Sequence, residues 1–192
     1  HCHFIQKLET QPSLEYQNMV LAFDGMREDD FDMKKFELWK NGKTGYPLVD
    51  ACMRALKEEG WLNFRMHAMV VSFASYNLWL DWKKTSKVLA GYFTDYEPGI
   101  HYNQIQMQSG VTGINTIRIY NPTKQLMDHD PKGTFVRKWC PELKDVPDDF
   151  LAQPHMLPVA AQKKYNCIIG EDYPSISVDL LQSSKFARDK IY

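Results

Sequence analysis

Asp95, Glu97 and His101 fall within one short run, DYEPGIHYNQIQMQSG, residues 95–110. Acids and an imidazole that close together are open to several chemistries. A metal centre needs His, Asp or Glu converging in a fixed geometry, and nothing resembling HExxH accompanies them. A paired-carboxylate hydrolase needs its acids opposed across a cleft, whereas neighbours two apart on one segment point different ways. A third possibility is an acid at the floor of a helical cavity. Arg65 and His67 lie in the apolar run NFRMHAMVVSFASYNLWLDW, and cations beside a buried helix need a carboxylate, a backbone end or a ligand. Asp95 is a candidate partner. Such an acid–base floor can hold a polar heterocycle, because carboxylates accept from ring N–H groups while Arg and His donate to carbonyls or phosphates. The blander reading stands beside these: Asp95 is a solvated loop acid, and Glu97 precedes a helix start at Pro98, where a carboxylate is favourable anyway.

The elements that must position these residues read as helices almost throughout. SLEYQNMVLAF, 13–23, is expected to form one helix with Ser13 as N-cap. DMKKFELWKNG forms a second, from Asp32 to just before Gly42. In PLVDACMRALKEEG, Pro47 suits the first helical position and Leu48, Val49, Cys52, Met53 and Leu56 share a face. Asp50 sits favourably in its first turn, and Gly60 ends the helix. The stretch 63–82 reads as one central helix, apolar nearly all round. SKVLAGYF forms the next, and IHYNQIQMQ resumes as a helix with Pro98 near its start. RIYNPTKQLMDHDPKG, 118–133, reads as turn-rich, TFVRKWCPELKDV as a short helix stopped by Pro141, and VDLLQSSKFARDKIY as a closing helix. No β-alternation, repeat or low-complexity stretch is seen. The expected class is all-α, one domain over 1–192.

With 44% hydrophobic and 13% aromatic residues the chain can bury a sizeable core. A formal net charge of −1 argues against a strongly basic nucleic-acid binder. The basic clusters Lys83, Lys84, Lys87 and Arg137, Lys138 read as solvated surface. No stretch is long and apolar enough to span a membrane, and HCHFIQKLET has no signal-peptide pattern. The four cysteines are far apart without CxxC spacing, so neither a disulfide framework nor a cysteine-held metal is expected, and the chain reads as cytoplasmic. Phosphate-cradling GxGxxG and GxxxxGK[ST] runs are absent. The chain does not begin with Met and reads as a fragment.

WKNGKTGYPLVDACMRALKEEGWLNFRMHAMVVSF, followed by LDW, resembles the C-terminal FAD-binding part of the photolyase/cryptochrome family. RIYNP, DHDPKGTFVRKWCPELKDVP and IIGEDYPSISVDLLQSSKFARDKI extend the resemblance over essentially the whole chain. The resemblance implies an all-helical FAD domain whose N-terminal part, and the antenna domain before it, are missing. In the family, light drives an electron from reduced flavin to a pyrimidine dimer flipped out of DNA; cryptochromes of the same fold signal instead. By the resemblance, Asp95, Tyr96 and Glu97 fall at the flavin ring, and His101 at its central-ring nitrogen. Trp61 and Arg65 fall on the cavity wall, and Phe64 and Arg65 on the DNA face. His67 falls where an arginine usually pairs with the flavin-side Asp, so a pH-sensitive His67–Asp95 pair is expected.

Departures from the pattern matter as much. Trp82 matches the middle tryptophan of the family's electron relay, but the flavin-proximal position reads Ile105 and the distal one falls near Asp29. Ala68 and Met107 stand where common photolyases carry a Met and a Trp against the dimer. The leading expectation is a divergent, bacterial-type FAD-dependent photolyase acting on damaged DNA. A cryptochrome-like blue-light sensor is the alternative, and a helical nucleic-acid or protein-binding module without flavin is the third.

Overall fold

The computed structural model describes residues 2–114 and 116–192. Its α-helices are α1 (Cys2–Thr10), α2 (Met33–Lys40), α3 (Pro47–Glu59), α4 (Phe64–Ser72), α5 (Trp82–Tyr92), α6 (Pro98–Ser109), α7 (Pro122–His129), α8 (Thr134–Trp139), α9 (Asp148–Leu151), α10 (Val159–Lys164) and α11 (Leu180–Ile191). Short 3-10 turns and one π-helical segment join them. Among the described residues the only β-type pairing outside helices is an isolated bridge between Ile169 and Tyr173. The expected all-α class is what the structure shows.

Helix starts follow local chemistry. Asp32, Asn63, Asp81, Glu97, Asn121 and Asp179 each turn a side-chain oxygen onto a backbone N–H of the first turn, satisfying donors that have no intrahelical partner. Pro47 opens α3 and Gly60 closes it in the left-handed region, as the sequence predicts. α3 and α4 form the centre. Val49, Cys52, Met53, Leu56, Met69 and Val70 are fully buried, and the Trp39 indole of α2 donates to Val70 O at 3.2 Å. α6 crosses α4 on one side and α1 on the other. The α1 crossing is tight: a Cβ on Gly99 would lie 2.6 Å from Ile5 Cα, so a glycine is required there for backbone contact.

Three expectations are corrected. Residues 13–23 are not one helix but two 3-10 turns, Pro12–Glu15 and Leu21–Phe23, with Ser13 inside the first. The intervening backbone is satisfied from a distance instead. Gln106 accepts from Met19 N at 2.7 Å and donates to Leu14 O and Gln17 O, which competes with helical bonding. The run 63–82 is not one helix either. After Ser72 it widens into a π segment, Phe73–Asn77, and breaks at Trp79, whose φ is 55°; a new helix, capped by Asp81, begins at Trp82 rather than at Ser86. Finally, 118–133 is not merely turn-rich. Asn121-Pro122 is the N-cap and first residue of α7, with Asn121 Oδ1 accepting from Lys124 N at 3.1 Å.

Candidate functional site

The first turn of α4 carries Phe64, Arg65 and His67, with Trp61 just before it, and helical spacing divides them between two faces. Trp61, Arg65 and Met66 line a cleft of about 440 Å³ with Leu48, Leu62 and Phe135. Phe64, His67 and Ala68 line a smaller cavity of about 100 Å³ against Ile100, Gln104 and Gln108 of α6. The two hollows lie on either side of one helical turn.

The larger cleft has an apolar floor and a charged rim. Two of its acids are already engaged: Glu59 pairs with Lys138 at 2.8 Å, and Asp130 Oδ2 accepts from Val136 N at 2.9 Å. Arg65 is exposed and, among the described residues, no carboxylate pairs with it. Trp61 and Phe64 are exposed at 55% and 65%. Large aromatics left half in water beside a free guanidinium are costly unless something covers them.

The smaller cavity holds two unsatisfied polar atoms. His67 Nε2 and Gln104 Oε1 are both buried with no hydrogen-bond partner, although buried polar side chains are nearly always paired. The His67 ring is held by stacking on Phe93, centroids 4.4 Å apart. Burial, reinforced by the neighbouring His101, pushes its pKa down to about 4, so the imidazole is neutral at pH 7. The expected His67–Asp95 pair is not formed: His67 lies on Phe93, and Asp95 stays exposed in the loop. The aromatic packing and desolvation of His67 favour its neutral form, which has little to gain from a carboxylate.

Glu97 is the N-cap of α6, its Oε2 accepting from Ile100 N at 2.7 Å. Glu97→Ala is therefore expected to lose about 1 kcal/mol of stability, read as a lower denaturation midpoint in urea; an unchanged midpoint would remove the capping role. His101 is 4% exposed and faces α5, with Nε2 3.0 Å from Ser86 O. Tyr96 and Tyr102 meet its ring edge-on at 5.1 and 5.2 Å, and burial depresses its pKa to about 4. Trp82 is buried, and its indole N–H donates to Asn18 Oδ1 at 2.6 Å. Ile105 is fully buried in the core.

Sequence reasoning did not single out Ile100, Gln104 and Gln108. Their i, i+4, i+8 spacing was the available signal, since it puts one aliphatic and two amides in a stripe. Among the described residues no three His, Cys, Asp or Glu side chains converge as metal ligands, and no helix is long and apolar enough to cross a membrane.

Known proteins resemble this chain in sequence and fold. The family described as the FAD binding domain of DNA photolyase matches residues 1–192. A cryptochrome DASH of Synechocystis sp. is 36% identical over 92% of this chain and 37% of its own length. A deoxyribodipyrimidine photo-lyase of Alkalihalophilus pseudofirmus is 34% identical over 85% of this chain and 35% of its own. The crystal structure of a bacterial class III photolyase from Agrobacterium tumefaciens superposes with a TM-score of 0.86 at 32% identity, covering 95% of this chain and 38% of that one. The chain thus spans a little over a third of the length of the relatives it matches. Helical architecture, sequence motifs and fold agree: the chain belongs to the photolyase/cryptochrome family and has the fold of its FAD-binding domain.

Proposed function

We propose that this protein, in its complete natural form, is a light-driven, FAD-dependent repair enzyme for pyrimidine dimers in DNA. The observation that carries the reading is the rim of α4. Phe64 stands exposed over the cavity that holds the unsatisfied polar atoms, and Trp61 and Arg65 stand exposed on the larger cleft across the same turn. Aromatic faces stack on extruded bases and a free guanidinium takes a phosphate.

The residues present fit FAD. His67 Nε2 and Gln104 Oε1 lack partners that a heteroaromatic ring edge supplies. Phe64 and Ala68 give the same cavity an apolar wall. Trp61, Arg65, His67, Asp95, Tyr96, Glu97 and His101 are the proposed cofactor-side residues, and Phe64 and Arg65 the proposed DNA-side ones. When bound, the flavin supplies the photoexcited electron donor. The chain's own part is to hold the ring edge, to keep neutral imidazoles near it, and to shield it from water. Trp82 is the proposed electron-transfer residue, and the aliphatic Ile105 interrupts an aromatic relay. Trp79 is a poor substitute: the Arg27 guanidinium lies 4.5 Å from its ring centre, and a cation there opposes loss of an electron from the indole.

A second reading, light sensing without repair, is favoured by Ala68, which offers the cavity only a methyl group. The test is the visible spectrum of the complete natural protein together with a light-dependent thymine-dimer assay. Flavin with dimer loss supports repair. Flavin without dimer loss supports sensing. Purified protein without flavin overturns both and leaves a helical binding module.

A further inference from the structure

The unsatisfied pair in the α4/α6 cavity points to a specific recognition role. Gln104 Oε1 and His67 Nε2 come from different helices, line one hollow of about 100 Å³, and are bonded neither to each other nor to any other group. Leaving such atoms buried and unpaired is unfavourable for the free fold. The rest of the lining is mainly Phe64, Ala68, Ile100 and Gln108, so few other groups compete for a ligand placed there. Stacking on Phe93, with ring centroids 4.4 Å apart, holds the plane of the His67 ring beside the cavity.

We infer that Gln104 and His67 together read one edge of the bound cofactor, an edge carrying an N–H donor beside a hydrogen-bond acceptor. This rests on the reading that the protein binds FAD. Gln104 Oε1 accepts the N–H, and His67 Nε2 completes the pair with the adjacent acceptor as its N–H tautomer. A neutral imidazole supplies one such donor; a protonated one would place a charge in a cavity with an apolar wall. Two parts of FAD display this chemistry: the N–H and carbonyl edge of the flavin ring, and the amino and ring-nitrogen edge of the adenine. Gln104 is a specificity-determining residue in either case.

Reloading the complete natural protein, stripped of cofactor, with FAD and two analogues tests this. N3-methyl FAD lacks the flavin N–H, and flavin hypoxanthine dinucleotide lacks the purine amino group. Wild-type protein is expected to bind one analogue about tenfold more weakly than FAD, the loss of one buried hydrogen bond. The N3-methyl arm assigns the flavin edge, and the hypoxanthine arm the adenine edge. Gln104→Leu is expected to lose that preference, and His67→Phe, which keeps the stack on Phe93, to weaken it. The cofactor-free Gln104→Leu protein should be at least as heat-stable as wild type, because the substitution removes an unsatisfied buried acceptor. Equal discrimination by wild type and Gln104→Leu overturns the inference. So does indifference of the wild type to both analogues, or a clear loss of heat stability in cofactor-free Gln104→Leu, which marks a structural role. Wild-type protein that takes up no flavin overturns the FAD reading itself, a result distinct from all of these.

Discussion

Asp50→Ala is expected to destabilise the fold by about 4 kcal/mol or more, enough to unfold a marginally stable domain. Asp50 is fully buried at the start of α3, yet it accepts four hydrogen bonds. Oδ1 takes Thr44 N at 2.7 Å and Thr44 Oγ1 at 2.6 Å; Oδ2 takes Gly45 N at 3.0 Å and Tyr173 Oη at 2.6 Å. Burial holds its pKa above the ordinary carboxylate value, and the hydrogen bonds from Thr44 and Tyr173, with Arg54 nearby, offset only part of that rise. Alanine would strand every one of those donors away from water. The damage would spread, because the same turn anchors the tail: Ser177 N donates to Thr44 O, and Tyr46 Oη to Val178 O. Tyr173→Phe removes only one donor and should lose about 1 kcal/mol. Urea denaturation measures both, and an Asp50→Ala loss no larger than that of Tyr173→Phe would refute this account. The TGYPLVD run is therefore a structural clasp that sets α3, and through it α4, in place.

The second large effect is a loss of stability in mild acid. His67 and His101 are both held to a pKa of about 4, against an ordinary value of 6.5, chiefly by burial. Each has its folded-state pKa below its unfolded one, so between those values the unfolded chain binds more protons. Their neutral-form stabilisation is complete above about pH 6.5 and disappears as pH falls towards about 4. About 2 kcal/mol per histidine is expected by roughly pH 4.5. The surroundings offer little relief: His67 meets the Phe93 ring, and His101 meets Tyr96, Tyr102 and the Ser86 carbonyl. Melting temperature followed from pH 7.5 to 4.5 should fall steeply in wild type and less steeply in His101→Gln and in His67→Phe. Equal slopes in all three would show that other groups govern the acid response.

Where the chemistry is local, the elements were legible. Pro47 and Gly60 bound α3 because a missing N–H and a left-handed residue act at fixed places in a helix. Asp32 caps α2 where the sequence marks that helix's start, because its side-chain oxygen accepts from a first-turn N–H. Glu97 was readable as a helix-start acid, and the long motif run was enough to suggest the family. Asp50 was read as a dipole partner in the first turn, but its four donors lie behind it in the chain and on the distant tail, beyond any local pattern.

What the sequence determined by itself is the helical class, the bounds of helices such as α2, α3 and α6, and the family, because caps, proline, glycine and motif residues act over a few positions. The tertiary structure decided the rest. It broke 13–23 because Gln106, some ninety residues away, offers that backbone better partners than a helix would. It ended α4 in a π turn and a left-handed Trp79, which no hydrophobic period announces. It separated Trp61 and Arg65 from Phe64 and His67 across one helical turn, and set Gln104 opposite His67. Those placements arise from packing between distant segments, and helical periodicity carries no record of which face meets which neighbour.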